Sequence, residues 1–517
     1  MWSYKTECTI SLILQIYSTI PHTTLHMNIF SSNLSQTHIA LLTGIALGVL
    51  SGWLLIPEET SKYVITYTDN GYQPSTLTIP LGSKVTFRNN STNPHWPASD
   101  LHPSHNLYAE FDPQEAILPN KNWAFIFDTP GLWAFHNHLQ SFQGGHITVL
   151  NKDNSVPSLN CTDKQNDIDC WSASLVLILK TKGLASAYDY LKKLHQTEPD
   201  FAPRCHSFAH DLGLKTYIYY GSSLTMIPET GYCNGGFYHG YLEGMINDLF
   251  NLTEVEEFCT QVGLDISDVY PNAENQCRHG IGHGLGEHII YTNTYMWGDP
   301  NSMYEKATDW CDGLNDSYDQ KMRCASGAIS VVVDWAFSDK NFTHYLEPEF
   351  ILNLCQQQGK EFSKDGCYWE VSKRMIFINE YDPTKTFDTL IKFFPMADTD
   401  KYLGRSIRSI SNIFGKTRIY EDDETTINFC RTNLPTADLQ SYCLIGMVEG
   451  MLFSGEPGNE GERALKFCNA TSMYPNEKTS CYKSVQDIIS DSSQNLFISV
   501  CSDTPDVYKT KKCLDLI

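Results

Sequence analysis

Hydrophobic positions change their rhythm three times along the chain. Residues 38–56, HIALLTGIALGVLSGWLLI, form a near-continuous apolar run of 19, about long enough as a helix to cross a ~30 Å hydrocarbon core. From Lys62 to Leu150, short β-branched and aromatic runs such as Tyr63–Tyr67, Lys84–Phe87 and Trp123–Phe127 are separated by Gly, Pro and Asn. Period-2 runs broken by turn residues predict a small β-sandwich. Residues 153–168 read as a polar linker, and from 169 to 517 the period becomes helical. The expected fold class is a multidomain α and β chain. It comprises an N-terminal segment (1–37), a transmembrane anchor (38–56), a sandwich (60–152), the linker, and an all-α repeat array (169–517).

Seventeen cysteines without zinc-type C-x-x-C pairs indicate disulfides, which persist outside the reducing cytosol. Together with the apolar run they predict a single-pass cell-membrane protein, with everything after Trp53 extracytoplasmic. A cleaved signal peptide is the competing reading, but no A-x-A-like site follows, and Pro57-Glu58-Glu59 is a poor cleavage context. Translation from Met27 would give a compact signal-anchor and would remove Cys8, leaving an even number of cysteines. Several N-x-S/T triplets, among them those at Asn251 and Asn469, suit an exported glycoprotein.

The cysteines also carry a repeat. Cys259 and Cys277, Cys311 and Cys324, Cys355 and Cys367, Cys430 and Cys443, Cys468 and Cys481, and Cys501 and Cys513 form pairs 12 to 18 residues apart, the first closing one helix and the second opening the next. Cys205 with Cys233 and Cys161 with Cys170 are the simplest further pairs, although sequence does not fix connectivity. We expect about seven or eight disulfide-stapled helical hairpins, in an open solenoid or a closed α/α toroid.

Composition narrows the function. With 41% hydrophobic and 19% charged residues, wholesale disorder and fibrous folds are excluded. A net charge of -23 opposes the phosphate backbone, so nucleic acid is not an expected partner. There is no C-x-x-C-H, no G-x-S-x-G and no P-loop.

The segments GYQPSTLTIPLGSKVTFRNNSTNPHWPASD and FDTPGLWAFHNHLQSFQGGHITVL resemble the cupredoxin (plastocyanin-like) family. The likeness lies in the first ligand loop and in the G-x-W/Y-x-F/Y turn before the second. It implies a copper-binding sandwich with an electron-transfer role. Where the family places its copper-binding Cys this chain has Asn137, which excludes a blue thiolate centre. The remaining imidazoles are His95, His136 and His138 as the core set, with His102 or His105 as fourth ligand and His146 near the family's axial position. Such a set suits type-2-like copper or zinc.

Histidine also clusters at three consecutive helix openings, after Cys205, Cys233 and Cys277. The pairs His206 and His210, His239 and Glu243, His279 and His283, and His283 and Glu287 keep the i, i+4 spacing that sets two side chains on one helical face. Six residues past the opening Cys, where two of these hairpins have His239 and His283, later ones have Ser330, Lys373, Glu449 and Asp487. Imidazole is therefore local, and we expect these seven side chains to face one cavity holding zinc, iron or manganese. The combined expectation is a membrane-anchored, extracytoplasmic copper protein with redox or electron-transfer chemistry. Its partner is a redox protein or a small-molecule substrate, and the helical site is that of an oxidoreductase or hydrolase. Two alternatives are a non-catalytic copper-handling surface protein and a structural cell-surface repeat protein.

Overall fold

The computed structural model describes residues 62–517 apart from 103–104, 106, 158–160, 162–166, 199, 202–203, 224–227, 267–272, 342–346, 395–398, 418–421, 454–459, 493 and 517. A small β region, residues 63–149, is followed by a long helical region. This corrects the expected fold class: among the described residues no helix is long and apolar enough to cross a membrane. The predicted span 38–56, like the segment 1–37, lies outside the described residues.

The β region has two four-stranded sheets. One orders β2 (Gly71–Gln73), β1 (Tyr63–Thr68), β4 (Ser83–Asn89) and β6 (Asn122–Phe127); the other orders β3 (Thr76–Ile79), β8 (Gln140–Val149), β7 (Gly131–Asn137) and β5 (Pro97–Ser99). The pairs β1/β4 and β3/β8 are parallel and the others antiparallel. Alternation along β4 turns Val85, Phe87 and Asn89 inward, as a strand with one buried face requires. Aromatic rings fill the space between the sheets, Phe111 and Phe135 at its centre.

In the helical region Cys205–Tyr220, Gly236–Leu249, Ala273–Thr292, Tyr318–Ser338, Glu361–Val371, Thr399–Thr417, Ala437–Phe453 and Pro475–Ser492 each pack on the next. Gly236–Leu249 buries every residue from Gly236 to Ile246, the pattern of a helix enclosed by neighbours. Two glycines set the spacing: a Cβ on Gly240 would collide with the His210 carbonyl, and one on Gly282 with that of Cys324.

Eight disulfides tie the hairpins. Six join the cysteines of the repeat: Cys259 with Cys277, Cys311 with Cys324, Cys355 with Cys367, Cys430 with Cys443, Cys468 with Cys481, and Cys501 with Cys513. The connectivity that spacing left open is Cys161 with Cys170 and Cys205 with Cys233.

The two regions share a core, and residues 61–517 form one compact unit. Strands β7 and β8 lie against the Asp167–Lys182, Cys205–Tyr220, Gly236–Leu249 and Ala273–Thr292 helices. Trp96, Ala98 and Leu139 of the β region pack with Ile289, Met303, Val332 and Trp335 of the helices. This joint brings the loop ends of the sandwich onto the histidine-bearing helices.

Candidate metal centre

Four buried imidazoles meet at the end of the second sheet. His102 and His105 lie on the chain after β5, while His136 and His138 flank the end of β7, where the β7/β8 register shifts. Each can direct one nitrogen so that all four donor atoms lie within 4.8 Å of one another. His102 Nδ1 is 3.2 Å from His136 Nε2, and His105 Nε2 is 2.9 Å from His138 Nδ1. Neighbouring nitrogens on a square plane of ~2.1 Å bonds stand about 3.0 Å apart, so the spacing suits an ion. Carboxylates orient the outer nitrogens: His136 Nδ1 lies 2.8 Å from Asp100 Oδ1, and His105 Nδ1 2.7 Å from Asp112 Oδ2. Carboxylate–imidazole pairs of this kind fix the tautomer and aim the free nitrogen. Asp100 in turn faces the Lys215 ammonium at 3.2 Å.

Burial, reinforced by neighbouring imidazoles, holds His102 and His138 well below the usual histidine range, although Glu243 opposes the shift at His102. Burial also lowers His136, although Asp100 works in the other direction. Neutral imidazole is the form that ligates a metal.

The helices add a second group. His210, His239 and His283 bring donor nitrogens within 4.8 Å of one another. His206 and His279 complete the surround, their ring centroids 5.0 and 4.9 Å from that of His239. His206 Nδ1 lies 3.0 Å from the Cys233 carbonyl oxygen, and Ser326 and Ser330 hydroxyls contact His279 Nδ1 and His283 Nε2 at 2.8 and 3.2 Å. His239 is different: it is 4% exposed, and neither ring nitrogen has a hydrogen-bond partner among the described residues. A buried imidazole left in that state loses the full solvation of its polar atoms, ~1–3 kcal/mol, and an ion among these nitrogens would remove the deficit.

Glu243 links the groups. Its Oε1 lies 3.2 Å from both His210 Nε2 and His283 Nδ1, and its Oε2 lies 3.8 Å from His102 Nε2. His102, Glu243 and Glu287 form a third set with donors within 4.8 Å. Burial favours the neutral form of Glu243, yet the His210 and His102 imidazoles hold it well below the usual carboxylate range. Glu287 is pushed well above that range, by burial and then by the charge of Glu243. The Glu287 carboxylate accepts hydrogen bonds from the Ser141 backbone and hydroxyl and from Asn247 Nδ2. An enclosed void of about 20 Å³ touches His102, His138, Glu243, His283 and Glu287. It has room for one water or one ion.

Comparison with known proteins adds little to this geometry. The chain matches no protein-family model and no curated protein. A solved structure described as a novel purple cupredoxin from Nitrosopumilus maritimus is 19% identical, covering 17% of this chain and 99% of that one with a TM-score of 0.15. That score is too low to assign the β region to a family.

The structure thus joins side chains that sequence distributes over two sites. His136 and His138 group with His102 and His105, and His95 stands outside. His95 is buried, stacked on Tyr67 at 4.7 Å, with Nδ1 3.2 Å from the Tyr72 hydroxyl. Asn137 is a clamp between loops: its Oδ1 accepts from the Trp96 and Leu139 amides and its Nδ2 donates to the Tyr67 hydroxyl. His146 lines a separate cavity of about 180 Å³ with Lys180 and Lys215. Sequence reasoning missed Asp100, Asp112, Ser141, Asn247, Ser326 and Ser330. Only the last two carried a signal: they stand two and six residues past Cys324, the offsets of His279 and His283 from Cys277.

Proposed function

We propose that this is an extracytoplasmic copper protein with a non-blue, multinuclear centre shared by a cupredoxin-type sandwich and a helical array. In this reading it carries out redox chemistry on a small molecule. The observation that carries it is His239, whose two unpartnered nitrogens sit in a ring of imidazoles beside a carboxylate that reaches a second imidazole group. His102, His105, His136 and His138 would hold one ion, and His210, His239 and His283 another, with Glu243 between them. Copper would supply one-electron chemistry there. An imidazole and carboxylate set without thiolate favours Cu(II) over the soft Cu(I). The eight disulfides support export, and the two ligand-loop motifs support the cupredoxin assignment. A redox partner or the substrate itself would provide electrons. A second reading, copper handling without turnover, draws support from the burial of all four sandwich imidazoles.

Metal analysis and electron paramagnetic resonance of the exported, copper-reconstituted protein test this. We expect at least two copper ions per chain, a type-2 signal from any uncoupled Cu(II), and no intense band near about 600 nm. Protein that stays copper-free after reconstitution refutes the proposal.

A further inference from the structure

The helical imidazoles open onto a cavity of about 450 Å³ that four cationic side chains also line. His206, His279 and His283 are partly exposed, while His210 and His239 lie buried. The same cavity is lined by Arg323, Lys373, Arg374 and Lys416, with Asp334 and Glu370 as the lining carboxylates. Both carboxylates are engaged: Glu370 pairs with Lys373 at 2.9 Å, and Asp334 pairs with Arg374. Four cations against two paired carboxylates leave Arg323 and Lys416, neither in an ion pair among the described residues.

Unpaired cations in a recess are costly, because water is displaced and no counter-charge replaces it. Burial, with the Lys373 charge beside it, lowers the Lys416 ammonium. Burial likewise lowers the Arg323 guanidinium despite Glu370 and Asp319. The whole chain carries a charge of -23, so this positive recess is local, set where the imidazoles are.

We propose that the cavity binds a small anion, an oxyanion or a carboxylate, with Lys416 and Arg323 holding its charge in the cavity that the helical imidazoles also line. Low-dielectric walls around one sign of charge concentrate ligands of the opposite sign. Guanidinium offers two parallel donors to a planar or tetrahedral oxyanion, and ammonium offers a point charge. If the metal reading holds, the substrate class of the centre is anionic, and that much of the inference rests on it.

The test is calorimetric titration of inorganic phosphate and of acetate into the full exported chain, once metal-free and once copper-loaded, at low ionic strength. We expect saturable binding of about one anion per chain. Lys416→Gln and Arg323→Gln should each weaken it about tenfold or more. Lys416→Arg should restore affinity and exposed Lys121→Gln should leave it unchanged, which separates a charge effect from misfolding. No saturable binding, or equal affinity in wild type and both Gln variants, overturns the anion site. Binding of the expected kind in a chain that takes up no copper supports the anion site while refuting the metal centre.

Discussion

Asp100 and Asp112 brace two of the sandwich imidazoles, and the other two are braced by their neighbours. In the helices serine hydroxyls and one carbonyl brace the outer imidazoles, and the central His239 is left without a partner. Among the described residues no imidazole of the first group has a fully buried, unpartnered nitrogen, whereas the second has three, on His210 and His239. Pre-orientation raises affinity because less freedom is lost on binding, so the sandwich group should fill first and hold more tightly. The helical group should respond more visibly to its ion, since binding there satisfies polar atoms that the metal-free protein leaves unmet.

Three measurements would break or sharpen that contrast. The largest effect is expected from His136→Ala with His138→Ala, which removes half the sandwich donors. Copper content should fall by one ion per chain, with a weakening of more than about 100-fold at that site, while the helical ion stays. Loss of both ions together would mean that the groups fill as one cluster. Next, Asp100→Asn keeps the shape but weakens the brace on His136, and competition with a chelator should show about 10–100-fold lower affinity. An unchanged value would assign the Asp100–Lys215 pair a role in packing alone. The smallest effect concerns stability: His239→Leu should leave the metal-free protein as stable as wild type, or more stable by about 1 kcal/mol. The same change should abolish the stability gained on copper addition to the helical site. Destabilisation of the metal-free variant by several kcal/mol would identify His239 as a core residue.

What sequence reveals follows from how local each feature is. Disulfides closed within one hairpin, as between Cys355 and Cys367 or Cys430 and Cys443, depend on neighbouring helices and leave a constant spacing. The i, i+4 pairs on the Cys205, Gly236 and Ala273 helices are equally local. Contacts such as His102 with Glu243, or Ser141 with Glu287, cross 141 and 146 residues, and no periodicity encodes them. His95 is a different case: its loop position matches the family motif, Tyr67 and Tyr72 flank its ring, and it stands outside the four-imidazole group, with Nε2 buried and unpartnered among the described residues. The transmembrane expectation rested on one apolar run outside the described residues, and no described helix repeats it.

All sixteen bridged cysteines lie between Cys161 and Cys513, so no covalent cross-link runs from the sandwich to the helices. Each disulfide shortens the slack within its own stretch of chain and leaves the joint between the two regions to packing, hydrogen bonds and ion pairs such as Asp100 with Lys215. An ion held jointly by His102 and Glu243 would be a rivet across that seam, a fastening that chemistry could insert or withdraw after folding. Reductant would then loosen the helical region hairpin by hairpin, and chelator would withdraw that one fastening while the packed seam remains, so the same molecule would have two separable modes of loosening.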